Sequence, residues 1–249
     1  MSHKKNKSET STEQYAQILS EANPNLLGHA RELGYVEEEI KQVPQGAVEI
    51  GLGCGNPVAL AELQKDQVVL DLGSGGGLDV FIASQKVGPQ GKVIGIDITP
   101  EMVRKAQEFA KEGGYTNVEF KVGQIENLPI PDESIEVIIS NCVINHSPNK
   151  LAAFKEALRV LRPAGTMFIS DLVVEGRLPP ADSPGLEVWA EWLRVACGKQ
   201  KYLAAIKEAG FRNIAVVTEY PYDGPAMAPM LAGKIVSLQL KVRKHGGVQ

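Results

Sequence analysis

Short apolar runs alternate with longer amphipathic stretches along the chain from Val68 onward. Runs of apolar and β-branched residues predict five strands, at 68–72, 92–97, 117–123, 134–140 and 166–171. Helical stretches fill the intervals: one follows the first strand as far as Val87, one starts at Thr99 and Pro100 with a capping hydroxyl, and one covers about 149–160. Strands that alternate with helices predict an α/β fold with a doubly wound, mostly parallel, Rossmann-like sheet.

The two ends of the chain depart from this alternation. Beyond the fifth strand, a Pro-rich loop precedes a predicted helix near 186–209 and two predicted strands, at 213–220 and 234–242. We therefore expect one domain with additions at both ends. The predicted segments are a disordered tail at 1–14, a helical N-terminal extension at 15–62, a cofactor-binding core at 63–175 and a C-terminal α+β segment on the substrate side at 176–249.

Composition narrows the class of protein. The 249 residues are 43% hydrophobic and carry a formal net charge of −4, which gives no electrostatic reason to expect nucleic acid as a partner. No apolar run approaches the ~20 residues that cross a bilayer, and the polar N-terminus lacks the apolar core of a secretory signal. An odd number of cysteines, three, favours free thiols in a reducing compartment. We therefore expect a cytoplasmic protein with no membrane partner.

A glycine-rich loop separates the first strand from its helix. The sequence VVLDLGSGGGLD places Gly73, Gly75 and Gly77 in this turn, where backbone can approach a ligand closely. The loop reads G-x-G-x-G, because Leu78 stands where a dinucleotide-binding fingerprint would have its third glycine. Asp97 ends the second strand, where a carboxylate can accept hydrogen bonds from ribose hydroxyls. Together these features predict a nucleotide-containing cofactor at this edge of the sheet.

The segments VLDLGSGGG, GIDIT and GQIENLP together resemble the class I S-adenosylmethionine-dependent methyltransferases. The resemblance implies that the glycine loop wraps the methionine part of the cofactor, that Asp97 holds the ribose and that Ile98 and Met102 pack around the adenine. Many members carry Asp where this chain has Gln124. The full implied set of cofactor-binding residues is Asp71, Gly73, Gly75, Gly77, Asp97, Ile98, Met102, Gln124, Ile125, Glu126 and Asn141.

Two of the three cysteines stand in unusual surroundings. Cys142 follows the fourth strand in SNCVINHSP, so the topology of a doubly wound sheet places it at the ligand crevice. Cys54 stands between two glycines in GLGCGNP, where local folding gives no reason for a thiol. By default a free cysteine is a small buried hydrophobic residue. The position of Cys142 instead predicts a functional thiol near the reactive end of the cofactor.

With these cysteines included, the stretch from Gly34 to Asp171 resembles the arsenite methyltransferases, and EAGF at 208–211 does so weakly. Trivalent arsenic is thiophilic, and its lone pair can attack the methyl group of a sulfonium. The resemblance implies that Cys142 and a further cysteine bind arsenic, while Cys54 joins a thiol relay that returns oxidised arsenic to the trivalent state. A small-molecule arsenical is then the substrate, and a thiol reductant of the thioredoxin or glutathione type is the electron donor.

The further cysteine is where the chain departs from this family. An ungapped alignment with the family pattern W-x-x-C-x-x-G-A puts Trp192 at the cysteine position, and Cys197 follows five residues later. Cys197 is either an arsenic ligand or a core residue. If it is not a ligand, arsenic takes two protein thiols and a third from a small thiol, or the substrate is different. Trp189 and Trp192 otherwise fit the apolar face of a helix.

Two other functions are compatible with these residues. One is a methyltransferase of a small carbon substrate, such as a quinone or a sterol-like precursor, with the same fold and cofactor. The other is a non-catalytic, thiol-based metalloid-binding protein that retains the glycine loop. Asp79, which starts the helix after that loop, is either a helix cap or a cofactor contact.

Overall fold

A seven-stranded sheet forms the centre of the protein, in a computed structural model that describes residues 30–51, 53–187, 189–223 and 227–246. The strand order is β3-β2-β1-β4-β5-β7-β6; β1 to β5 are parallel, and β7 runs antiparallel to both its neighbours. This confirms the predicted doubly wound, mostly parallel fold. The strands are β1 (Val68–Leu72), β2 (Lys92–Asp97), β3 (Val118–Val122), β4 (Ile135–Asn141), β5 (Leu161–Val174), β6 (Asn213–Pro221) and β7 (Ile235–Arg243).

Helices cover both faces of the sheet, and three short ones precede it. The described helices are α1 (Glu37–Ile40), α2 (Gln45–Glu49), α3 (Pro57–Ala61), α4 (Leu78–Val87), α5 (Pro100–Glu112), α6 (Lys150–Val160), α7 (Ala190–Val195) and α8 (Lys199–Ala209), with 3₁₀ turns at Ile144–His146 and Pro229–Leu231. The predicted tail at 1–14 and residues 15–29 of the predicted extension lie outside the described residues. Within the described ranges, no helix is both long and apolar enough to span a membrane.

The structure corrects three details of the elements predicted from sequence. The fifth strand is longer than the predicted 166–171, because its end pairs with β7 as far as Val174. The single helix predicted near 186–209 is two helices, because the Val174 amide donates to the Cys197 carbonyl at 3.1 Å and interrupts helical bonding there. Thr99 precedes α5, yet its hydroxyl makes no capping hydrogen bond with the helix.

Three clusters of buried side chains stabilise the fold. One lies between the sheet and helices α6 and α8, and the second lies under α4, α5 and the N-terminal helices on the opposite face. Burial of this apolar surface is the main driving force for folding. The third, which we call the cysteine–tryptophan cluster, lies near the carboxyl ends of β4 and β5 and contains Cys54, Leu172, Leu186, Trp189, Trp192, Tyr222, Ala228, Leu231 and Ile235, with Cys142 packed against it.

Candidate active site at the carboxyl ends of the parallel strands

The glycine loop follows β1 and is held close to the neighbouring strands. Its glycines adopt the left-handed region, with φ of +71° at Gly73, +50° at Gly75 and +93° at Gly77. The Gly73 amide donates to the Ile96 carbonyl at 2.8 Å, and a Cβ at Gly73 would lie 2.5 Å from the side chain of Val143. A Cβ at Gly75 would meet nothing within 4 Å, so the loop is packed on one side and open on the other.

Asp97 binds this loop directly. Its Oδ2 accepts from the Gly75 amide at 2.8 Å and its Oδ1 accepts from the Thr99 amide at 2.9 Å. Burial raises the pKa of Asp97, and the hydrogen bonds from Thr99 and Gly75 oppose that rise. Each carboxylate oxygen has two lone pairs, so both remain able to accept a further hydrogen bond from a ligand.

Three carboxyl groups lie close together beside the loop. Burial, and then the charges of Asp79 and Asp97, raise the pKa of Asp71 well above its usual value. Burial raises the pKa of Asp79 to about 6, against hydrogen bonds from Tyr35 and Asn141 that lower it. Among the ion pairs of the described residues, none involves these three aspartates. A ligand that carries positive charge and hydroxyl groups therefore complements these three carboxyl groups.

The residues predicted to contact adenine divide into two groups. Ile98 is 53% exposed although it is apolar, and Gln124 is also exposed, so both offer side chains to a ligand. Met102 and Ile125 are buried, and Ile125 belongs to the cluster under α6 and α8. Glu126 is half-buried and accepts a hydrogen bond from the Ser147 hydroxyl. An adenine contact through side chains is therefore available at Ile98 and Gln124.

Asn141, at the end of β4, connects the N-terminal segment to the helix that follows the glycine loop. Its Oδ1 accepts from the Cys54 amide at 3.0 Å, while its Nδ2 lies 2.9 Å from the Gly55 carbonyl. The same Nδ2 lies 3.1 Å from Asp79 Oδ2 and 3.0 Å from the Tyr35 hydroxyl, which itself donates to Asp79 Oδ1 at 2.7 Å. The side-chain amide of Asn141 thus has protein partners on both its atoms.

Cys54 is fixed at both its backbone groups. In addition to the hydrogen bond of its amide to Asn141, its carbonyl accepts from the Ser237 hydroxyl at 2.7 Å and from the Tyr220 hydroxyl at 3.1 Å. These donors belong to β7 and β6, so the C-terminal strands hold the N-terminal thiol. Gly53 and Gly55 are required here, because a Cβ would lie 2.5 Å from Asn141 Nδ2 and 2.7 Å from the Ser170 hydroxyl respectively.

Cys54 and Cys142 form a neighbouring pair of free thiols. Burial raises the pKa of Cys54 well above its usual value, and the hydrogen bond and charge of the Cys142 thiol raise it further. Cys142 adopts a left-handed backbone, with φ of +59°, and its amide donates to the Ser170 carbonyl at 2.7 Å. This backbone is strained for a residue with a Cβ. The hydrogen bond to Ser170 holds Cys142 in this conformation directly after β4.

Cys197 lies in a different environment. Its amide donates to Asn145 Oδ1 at 3.2 Å, and it belongs to the cluster under α6 and α8 with Tyr202. Burial raises the pKa of Cys197, and the charges of Lys150 and Lys201 oppose that rise. In the described part of the chain, no three or more His, Cys, Asp or Glu side chains are grouped so that they could hold a metal ion. The three cysteines therefore do not converge on one point.

Trp192 stands at the position that the family pattern gives to a cysteine. It is 4% exposed and lies in the cysteine–tryptophan cluster, with its ring centroid 5.6 Å from that of Trp189 at an interplanar angle of 80°. Its indole Nε1–H has no hydrogen-bond partner among the described residues. Helical spacing alone predicts only an apolar face here, so it does not indicate a polar group directed at the site.

A buried polar group on the opposite side of β5 also escaped sequence reasoning. Asp171 Oδ2 accepts from the Tyr202 hydroxyl and from the Asn145 amide, each at 2.8 Å. Burial raises the pKa of Asp171 to about 6, against these hydrogen bonds. Asn145 Nδ2 donates to the Leu172 carbonyl at 2.6 Å. This network attaches the turn after Cys142 to β5, and it depends on pairings between distant segments that no local pattern reveals.

Comparison with known proteins agrees with this geometry. Residues 63–210 match the family model described as a methyltransferase domain. An arsenite methyltransferase of Halobacterium salinarum is 41% identical over 217 residues, which are 85% of this chain and 55% of that protein. The human arsenite methyltransferase is 33% identical over 193 residues, 74% of this chain and 51% of that protein. The chain thus spans about half the length of these curated relatives.

Solved structures show the same relationship. An arsenic (III) S-adenosylmethionine methyltransferase from Chlamydomonas reinhardtii superposes with a TM-score of 0.72 at 32% identity, over 84% of this chain and 73% of that one. A protein of Bacillus subtilis, 22% identical with a TM-score of 0.58, shares the fold. The chain belongs to the S-adenosylmethionine-dependent methyltransferases of class I and, within them, to the family of the arsenite methyltransferases.

Proposed function

We propose that this protein transfers a methyl group from S-adenosylmethionine to trivalent arsenic held by the thiols of Cys54 and Cys142. The observation that carries the proposal is the pairing of these two thiols beside a glycine loop and three carboxyl groups, two of them buried. The family resemblance of the sequence assigns arsenic to Cys142 and Cys197, with Cys54 as a possible ligand; the separate environment of Cys197 favours Cys54 as the second ligand.

The residues beside the glycine loop fit the cofactor. When bound, S-adenosylmethionine supplies a methyl group on a positively charged sulfonium. Asp97 offers acceptors to ribose hydroxyls, Ile98 offers an apolar surface to adenine, and the open side of Gly75 admits the ligand next to the backbone. Burial raises the pKa of Asp71 and Asp79, because negative charge is unfavourable there without a cation, and a cationic ligand would stabilise both carboxylates.

Arsenic binding by the thiol pair needs no prior ionisation. Arsenous acid condenses with two thiols, forming two As–S bonds and releasing two molecules of water, while one hydroxyl stays on arsenic. Each step consumes a neutral thiol, so the raised pKa of Cys54 does not obstruct it. The product is neutral, and the buried, largely apolar surroundings of Cys54 favour it over charged alternatives.

The chain's own contribution to methyl transfer is orientation. The lone pair of arsenic forms the new As–C bond, and the electron pair of the broken C–S bond returns to the cofactor's sulfur. Asn141 fixes the Cys54 backbone and contacts Asp79 on α4, directly after the glycine loop. The hydrogen bond to Ser170 fixes Cys142. These contacts hold both thiols at a set distance from the loop, as an in-line transfer requires.

The thiol pair also accounts for the change in oxidation state. Methyl transfer leaves arsenic formally pentavalent, and two electrons return it to the trivalent state. When both As–S bonds break and a Cys54–Cys142 disulfide forms, the two sulfurs supply those electrons; one water adds a second hydroxyl to arsenic and releases a proton, which leaves methylarsonous acid. A thiol reductant of the thioredoxin or glutathione type then reduces the disulfide for the next cycle. A reducing compartment such as the cytoplasm supplies such reductants, and this location stays a prediction.

A single assay tests the proposal: the protein is incubated with arsenite, a thiol reductant and labelled S-adenosylmethionine, and the arsenic species are separated. We expect labelled methylarsenicals from the wild type and none from Cys54→Ser or Cys142→Ser, while Cys197→Ser retains activity. Cofactor binding measured by calorimetry should persist in all three variants. Arsenite bound without turnover would instead indicate a metalloid-binding protein, and full activity of Cys142→Ser would refute the role of the thiol pair.

A further inference from the structure

The site leaves one bond of arsenic without a protein ligand. Trivalent arsenic forms three bonds, but the structure brings only Cys54 and Cys142 together, and no third Cys, His, Asp or Glu joins them within the described residues. A third ligand must therefore come from solution. The surroundings of the two thiols then determine which third ligand the site accepts.

Trp192 lies in those surroundings. It belongs to the same cysteine–tryptophan cluster as both thiols, and its helix, α7, contacts the 3₁₀ turn Ile144–His146 that begins two residues after Cys142. The Trp192 carbonyl accepts from the Ala196 amide at 2.7 Å, which secures the end of this short helix. The indole thus lies in the same apolar cluster as the thiol pair, on a helix that packs against the turn after Cys142.

The polar atom of this side chain lacks a partner. Trp192 is 4% exposed, and its Nε1–H has no acceptor among the described residues. A buried N–H without an acceptor is unfavourable and rare in folded proteins, because it loses its hydrogen bond to water. A ligand that brings an acceptor into the site would offset this loss.

We propose that Trp192 is a specificity-determining residue, and that its indole N–H donates to the third, exogenous ligand on arsenic, a hydroxide oxygen or a thiolate sulfur. This inference rests on the proposed arsenic chemistry. After condensation with Cys54 and Cys142, the remaining arsenic hydroxyl is itself such a ligand; if a small thiol replaces it, one further As–S bond forms and one more water leaves. In both products the third ligand carries a lone pair that can accept a hydrogen bond from an N–H group.

The proposal predicts different affinities for two substrates that differ in the third ligand on arsenic. Inorganic arsenite keeps a hydroxide or thiolate as its third ligand. Methylarsonous acid uses both its hydroxyls to bind the two thiols, which leaves a methyl group in the third position. A methyl group accepts no hydrogen bond, so Trp192 should favour the inorganic substrate only.

The experiment compares Trp192→Phe with Trp189→Phe in the full chain. Phe keeps an aromatic ring but removes the N–H. The chain has two tryptophans, so each variant has a single fluorophore whose quenching reports arsenical binding. For Trp192→Phe we expect the dissociation constant for arsenite to rise about tenfold or more and that for methylarsonous acid to change less than twofold. Trp189→Phe, which removes the neighbouring indole, should affect both arsenicals equally.

Titrations with and without glutathione identify the source of the third ligand. A tenfold effect of Trp192→Phe without glutathione supports hydroxide, and an effect seen only with glutathione supports thiolate. If Trp192→Phe binds both arsenicals as the wild type does, or weakens both equally, the inference is wrong although the proposed function stands. If the wild type binds no arsenical, the proposed function itself has failed.

Discussion

The side-chain amide of Asn141 holds the backbone at Cys54 and at the residue that follows it. Oδ1 accepts from the Cys54 amide at 3.0 Å, and Nδ2 lies 2.9 Å from the carbonyl of Gly55. The same Nδ2 reaches Asp79 on the helix that follows the glycine loop. One side chain thus relates the position of a thiol to the helix that follows the glycine loop, although the two segments are distant in sequence.

Replacement of Asn141 by Ala should weaken arsenite binding about tenfold or more and lower the free energy of unfolding. The Cys54 amide would lose its buried acceptor, which typically costs about 1–3 kcal/mol, and the thiol would no longer be fixed beside Cys142. S-adenosylmethionine affinity, measured by calorimetry, should change much less, because the amide is occupied by protein groups. An equal loss of cofactor affinity would instead support the direct cofactor contact predicted from sequence.

Gly75→Ala should separate cofactor binding from folding. A Cβ at Gly75 meets no atom within 4 Å, so the substitution should cost only the strain of φ +50°, about 1 kcal/mol. The added methyl would, however, stand on the open side of the loop, and we expect S-adenosylmethionine affinity to fall at least tenfold. Gly73→Ala is the comparison that disturbs folding: its Cβ would lie 2.5 Å from Val143, so it should lower the melting temperature as well as the cofactor affinity. Unchanged affinity in Gly75→Ala would place the cofactor elsewhere.

Sequence reasoning predicted the central strands β1 and β2 well because both are short, buried apolar runs. The bounds of β1 and β2 match the predicted 68–72 and 92–97, since both faces of these strands are covered and the apolar run ends where burial ends. The prediction of a single helix near 186–209 was wrong, because the helix is interrupted by a contact with another element and not by a local sequence signal. The break at Cys197 depends on a hydrogen bond from Val174 in another element, which periodicity cannot indicate.

The same limit applies to the candidate site. Topology places Cys142 at the crevice from sequence alone, since it follows a parallel strand. The pairing of Cys54 with Cys142 depends instead on Asn141, Ser237 and Tyr220, which lie in three different strands. Long-range pairing of this kind leaves no local signal in the chain.

Cys197→Ser should retain arsenite binding and methylation. Cys197 packs in the cluster under α6 and α8, where a hydroxyl in place of the thiol buries a more polar group. We therefore expect a loss of about 1–3 kcal/mol in unfolding free energy, with a normal dissociation constant for arsenite at low temperature. Cys142→Ser should show the reverse: near-normal stability and no arsenite binding. Loss of arsenite binding in both variants would indicate that Cys197, like Cys142, binds arsenic.

The last prediction concerns stability and pH. Burial raises the pKa of Asp171 to about 6 in the folded protein, from an ordinary value of 3.8 in the unfolded chain. Between these values the folded state binds more protons than the unfolded state, so this group makes the protein less stable as pH rises. From pH 4.5 to 7.5 the loss amounts to about 2 kcal/mol. Surface carboxylates with lowered pKa, such as Glu119 and Glu156, act in the opposite direction and are common to the wild type and any Asp171 variant.

Asp171→Asn isolates this contribution, because Asn is close in shape but does not ionise. Urea unfolding of both proteins at pH 4.5 and 7.5 gives the difference in unfolding free energy at each pH. Any cost from altered hydrogen bonds to Tyr202 and Asn145 is present at both pH values and cancels. We expect the variant to gain about 2 kcal/mol relative to the wild type between the two pH values. A difference that does not change with pH would mean that Asp171 ionises in the folded protein as readily as in water, and that its buried network carries no such cost.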